Sequence, residues 1–143
     1  IFACHGVRGT LRSAAKDQGQ RLANMQATLK MKLKEQAGDC LIEAMGHTHQ
    51  LLLVEPVQKL VLTDDGEKLH QHYTGCAHAD KHGYIEPDSR WYVNTGSYLK
   101  KYSNDGDPGY AEMAGYDPVE LGHIRITIEG GVLADVSKAI FNE

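Results

Sequence analysis

The chain is short of long apolar runs, of cysteine and of repeats, and each shortage narrows what it can be. No stretch approaches the roughly 20 apolar residues of a membrane-spanning helix, so no membrane partner is expected. No secretory signal opens the sequence. The three cysteines, Cys4, Cys40 and Cys76, are an odd count without the spacing of a disulfide framework. Cys4 and Cys40 lie in apolar, strand-like runs and read as small buried hydrophobes in a reducing compartment. A cytoplasmic protein is expected. No repeat, low-complexity tract or linker divides the 143 residues, so they make at most one domain. Their apolar share of 41% and charged share of 24% are ordinary for a globular chain.

The net charge of −4 hides an imbalance. Residues 1–37 carry seven Lys or Arg against two acids, whereas residues 38–143 carry eight against seventeen. A basic segment can face the phosphates of a nucleic acid or nucleotide. Lys30, Lys32 and Lys34 have a simpler use. They close a helical pattern, where cations complement the negative end of the helix dipole. No binding motif accompanies them, so the simpler account is preferred.

In chain order, Ile1–Cys4 is a β-rich run that delivers His5 to a loop, where Gly6 and Gly9 bracket Arg8, a candidate phosphate contact. From Leu11 to about Gln36 the pattern is helical: Leu11, Ala14, Ala15, Leu22, Met25, Leu29 and Leu33 recur at suitable spacings. Thr10 is the expected N-cap, Gly38 the stop, and Gly19 a weak point between them. Asp39–Met45 returns as a strand, which predicts a β-α-β unit. Such crossovers are right-handed and give parallel neighbours. After Val54 the pattern is all β. Val57–Thr63 and Glu67–Tyr73 flank Asp64-Asp65-Gly66, a hairpin turn signal. Trp91–Val93, Val119–Ile128 and Val132–Ile140 are further strands, with Gly130-Gly131 as another hairpin turn. Ser103–Pro118 reads as a long loop, and Tyr102, Tyr110 and Tyr116 anchor it or line a substrate cleft. The expected class is α/β (α+β), a β-α-β unit followed by mostly antiparallel strands.

The chemistry concentrates in Met45-Gly46-His47-Thr48-His49-Gln50, between the strand-like runs Cys40–Ala44 and Leu51–Val54. Glycine permits a sharp turn, and in an extended segment alternate side chains share a side. Both imidazoles can then reach one metal or two adjacent ones, while Thr48 faces elsewhere. A bare H-x-H is more often a solvated loop, but strand, glycine and apolar continuation favour metal coordination. In a β-α-β unit, His5 and this block end adjacent parallel strands. Ligand sites of open α/β sheets form at those carboxyl ends. A second cluster, His70, His72, Cys76, His78 and His82, has no recognised zinc spacing and reads as an exposed hairpin and loop.

Gly46-His47-Thr48-His49 resembles the closing G-H-x-H block of calcineurin-like metallophosphoesterases. Ile1-Phe2-Ala3-Cys4-His5-Gly6 is similar to that family's preceding block, a strand ending in a single metal-binding histidine. Arg90-Trp91-Tyr92-Val93-Asn94-Thr95-Gly96-Ser97 is similar to its later strand with an N-x-G-S turn. The resemblance spans roughly Ile1 to Ile128. It implies half of a four-layer αββα sandwich and a parent with two divalent metals, Mn, Zn, Fe or Ni. His5 and His47 would bind one metal and His49 the other. Arg8 and, less strongly, Asn94 would contact substrate, although Asn94 and Ser97 more readily shape the turn.

The family's D-x-H, G-D-x-x-D and G-N-H-D/E blocks, with the shared aspartate and the general acid, do not occur in place. Asp80-Lys81-His82 spells D-x-H but follows the G-H-x-H block, and is read as coincidence. Residues 1–143 are therefore expected to be the C-terminal part of a single metallophosphoesterase domain. Its parent would hydrolyse phosphate mono- or diesters. This half alone is expected to be inactive and to hold metal weakly. It should expose one apolar face of the sheet carrying Ile1–Cys4 and Cys40–Met45, and so pair with a copy of itself or with its own N-terminal fragment. Two alternatives stand beside the hydrolase: an inactive metal-binding or protein-interaction module, and a nuclease or phosphodiesterase acting on nucleic acid.

Overall fold

Two short strands joined by a helix set the frame. The computed structural model describes every residue except 7–10, 74–82, 103–107, 116 and 142–143. β1 (Phe2–Cys4), α1 (Gln18–Leu33) and β2 (Ile42–Met45) form the expected β-α-β unit, with Phe2, Ala3 and Cys4 in parallel register with Glu43, Ala44 and Met45. β3 (Leu51–Val54) and β6 (Trp91–Thr95) complete a four-stranded sheet in the order β1-β2-β6-β3. β6 runs parallel to β2 and antiparallel to β3, so the sheet is mixed. The remaining strands form two hairpins, β4 (Leu60–Asp64) with β5 (Leu69–Tyr73), and β7 (Gly122–Glu129) with β8 (Val132–Ile140). The class is mixed α+β.

The helix is shorter than its periodicity suggests. Leu11 is 1% exposed, yet it lies outside α1. The Asp17 carboxylate accepts from the backbone N–H of Gln20 at 2.8 Å and starts the helix there. Gly19 therefore falls in the first turn, where its propensity cost is slight. Thr10 lies outside the described residues. α1 ends at Leu33, five residues before Gly38, and the Lys34 carbonyl at its end accepts from Arg90 Nη1 at 2.9 Å. Leu29 and Leu33 are buried, whereas Leu22 and Met31 of the same helix face solvent at 40% and 72% exposure. Burying each leucine contributes about 2 kcal/mol.

Alternation along β2 sends side chains to two cores. Met45 joins Leu11, Leu29, Leu33, Leu52 and Tyr92 under the helix. Ile42 and Ala44 join Val93 and Val136 on the opposite side, where Ile124, Ile126 and Leu133 of the β7–β8 hairpin cover them. This corrects the expectation of a bare apolar face on the sheet. All four residues of β2 are buried, because the C-terminal hairpin folds back over the side left free by α1. Exposure persists at the β1 edge, with Ile1 64% exposed.

The β4–β5 turn is wider than expected. Asp64 pairs with Leu69, leaving Asp65–Lys68 as the connection. The Asp65 carboxylate accepts from the backbone N–H groups of Glu67 and Lys68. Within the expected loop, Tyr110–Met113 forms a short helix, α2. Among the described residues, no helix is long and apolar enough to cross a membrane.

Candidate functional site

β1 and β2 end side by side, and the backbone N–H of Gly46 donates to the Cys4 carbonyl at 3.3 Å. Their parallel register brings the next histidine on each chain segment together. The His5 and His47 ring centroids are 4.9 Å apart, with planes tilted by 56°. Gly6 makes this approach possible, since a Cβ there would lie 2.9 Å from the His47 Cβ. Both histidines are exposed, and His49 is half-buried. Ser97 Oγ lies 3.4 Å from His49 Nδ1, which places the turn after β6 beside the third imidazole.

The connection between β2 and β3 is not extended, contrary to the period-two reading. β3 runs opposite to β2 on the far side of β6, so residues 46–50 must reverse the chain over the end of β6. The reversal places His47 and His49 in the left-handed region, at φ 71° and 58°. Left-handed backbone is costly for a side chain with a Cβ and concentrates at functional sites. Thr48 turns inward, where its hydroxyl oxygen accepts from Asn94 Nδ2. Asn94 is fully buried, and its Oδ1 has no hydrogen-bond partner among the described residues. It holds the loop through Thr48, which lines the adjacent cavity, whereas Asn94 itself does not. Arg8 lies outside the described residues.

That cavity has a volume of about 470 Å³ and is lined by His5, His47 and His49 together. Arg12, Lys100, Lys101 and Asp117 also line it. None of these four stood out in the sequence. The helical pattern from Leu11 absorbed Arg12, whereas Lys100-Lys101, three residues beyond Ser97, was a signal that could have been used. Ala111 lines the cavity, while Tyr102 and Tyr110 are exposed at 61% and 59%. Tyr116 lies outside the described residues.

The chain matches no family model, and neither the curated proteins nor the solved structures yield a match.

By donor chemistry, His5 and His47 suit one divalent ion, as two imidazoles meeting at an open cavity. Among the described residues, no three His, Cys, Asp or Glu side chains form a group that could hold a metal ion. A complete site needs further ligands beside these imidazoles. In the second histidine cluster, His70 lies 2.6 Å from the Asp65 carboxylate and shares a face of β5 with His72. Cys76, His78 and His82 lie outside the described residues.

The basic end of α1 is committed to structure. Lys30 and Lys59 both pair with the Asp88 carboxylate, and Lys34 lies 3.7 Å from Glu35. Hydrogen bonds from Lys30 and then Lys59 hold the Asp88 carboxyl down to about 2.

Proposed function

We propose that this chain carries half of the dinuclear metal site of a phosphoesterase that hydrolyses phosphate mono- or diesters. The observation that supports it is the meeting of three histidines from two β-strand ends around one cavity, with His5 and His47 in ring contact. On this reading His5 and His47 hold one divalent ion, Mn, Zn, Fe or Ni, and His49 helps hold a second. Bound metals would supply an activated water and neutralise charge at phosphorus. The chain's own contribution is to fix the imidazoles. Left-handed backbone and the Asn94–Thr48 hydrogen bond set the loop, and Ser97 steadies His49.

The layering of α1, sheet and β7–β8 hairpin suits half of an αββα sandwich, and the shared aspartate and general acid would come from an N-terminal half. Residues 1–143 would then act with that half, or self-associate, along the β1 edge. Cys4 and Cys40 are free thiols, which suits a cytoplasmic setting. The test joins the upstream part of the reading frame to this chain and assays aryl phosphate mono- and diesters with Mn²⁺. His49→Ala should abolish the activity. Full metal-dependent activity in that variant would refute the assignment.

A second reading, an inactive metal-binding module, is favoured by the ligand set itself: the three histidines have no carboxylate ligand among them. It predicts metal uptake by the joined protein without turnover.

A further inference from the structure

The cavity beside the histidines extends beyond what a phosphate group fills. Its volume of about 470 Å³ lies in the range of sites for organic ligands, roughly 300–1,000 Å³. Its lining divides by chemistry. Among the described residues, Arg12, Lys100 and Lys101 contribute three cations beside one carboxylate, Asp117. The Lys101 ammonium lies 5.4 Å from the Tyr102 ring centroid, a cation–π contact that steadies it. Leu99, Val119 and Leu121 form an apolar wall, backed by Leu11 and Ala111, which are 1% and 3% exposed.

We propose that this cavity receives the phosphate ester of an apolar alcohol, with Arg12, Lys100 and Lys101 taking the phosphate and Leu99, Val119 and Leu121 taking the hydrocarbon part. This deepens, and rests on, the phosphoesterase reading. Two features select the class. The excess of cations fits a dianionic phosphomonoester better than a neutral ligand. The apolar part of the described lining is aliphatic, Leu99, Val119 and Leu121, which suits a hydrocarbon chain. A saturated chain fills the space against the leucines and valine by simple exclusion of water.

The test is a calorimetric titration of the full chain with inorganic, methyl, butyl and hexyl phosphate, first with chelator and then with Mn²⁺. From butyl to hexyl phosphate, affinity should rise about fourfold per methylene. Lys100→Ala with Lys101→Ala should weaken every member alike, by about tenfold. Val119→Thr, which preserves shape, should leave inorganic phosphate unchanged and weaken hexyl phosphate several-fold. The wild-type series needs no variant to fold. A flat series would overturn the inference. So would chain-length dependence indifferent to Val119→Thr. Chain-length dependence that is present with chelator and unaltered by Mn²⁺ would uphold the apolar subsite while counting against the metal reading. Binding enhanced by Mn²⁺ but indifferent to chain length would do the reverse.

Discussion

The Arg90 guanidinium donates to the Glu43 carboxylate at 2.7 Å, and neither side chain is exposed to solvent. Arg90 precedes β6 and Glu43 lies in β2, the strand that ends at the histidine loop. The same guanidinium donates to the carbonyl oxygens of Ile85 and Lys34. One side chain therefore ties the end of α1, the segment before β6 and the strand that carries the site.

Removing the cation should cost more than removing the negative charge. Arg90→Met leaves a buried carboxylate and two carbonyls without their donor, and should destabilise the fold by about 3–5 kcal/mol. Glu43→Gln keeps an acceptor for Arg90 and should cost about 1–2 kcal/mol. Urea denaturation of both variants measures the difference. Equal costs would show that the carboxylate, rather than the three-way tie, matters.

Two carboxyls should impose opposite pH trends on stability. Hydrogen bonds from Lys30 and Lys59 lower Asp88 from its ordinary 3.8 to about 2. Its contribution is fully present above pH 3.8 and is lost as pH falls toward 2. Burial raises Glu43 above its ordinary 4.5, against the pull of Arg90. The folded state thus holds its proton more tightly, and stability declines as pH rises above 4.5 through the folded value. Thermal melts from pH 2 to 8 should show Asp88→Asn flattening the acid limb alone. Glu43→Gln should flatten only the decline above pH 4.5.

The turn that braces His49 has no room for a side chain. Gly96 sits at φ 80°, and a Cβ there would lie 2.6 Å from the Gly122 carbonyl oxygen and 2.9 Å from Leu51 Cδ1. Gly96→Ala should cost about 2–4 kcal/mol, from the strained φ and the overlap together. Gly66, at φ 89° in the β4–β5 turn, meets nothing within 4 Å, so Gly66→Ala should cost only about 1 kcal/mol. Chemical denaturation of the pair separates crowding from backbone strain.

The frame was legible where pattern and tertiary demand coincide. Within Cys40–Met45, read as a buried strand, Ile42–Met45 is one, because both faces of β2 meet apolar layers. Leu11 shows the limit. It matches the helical period, but its burial comes from a non-helical approach to Leu29 and Leu33, and the Asp17 cap decides where the helix starts. The proximity of His5 and His47 followed from parallel topology. The loop geometry did not, because the reversal over β6 depends on β3 joining β6 antiparallel, a pairing set by distant residues. The apolar face expected to lie bare is covered for the same reason: nothing local in Val132–Ile140 says which surface the hairpin will choose.

Gly6 lines the cavity beside His5 and sets how closely the histidine loop approaches β1. At φ 141° it accommodates the His47 Cβ so closely that an added methyl would lie 2.9 Å away, with the Gly46 carbonyl oxygen at 3.1 Å. Gly6→Ala must therefore push the histidine loop away from β1 and part the His5 and His47 rings. If those two imidazoles share an ion, Mn²⁺ affinity should fall at least about tenfold, as it does when support for metal ligands is lost. His47→Ala should weaken binding as much, and the double variant should add nothing further, since both changes break the same pair. Metal titration well below the melting temperature of each variant keeps backbone strain out of the comparison. Unchanged Mn²⁺ affinity in Gly6→Ala would show that ring contact between His5 and His47 plays no part in holding metal.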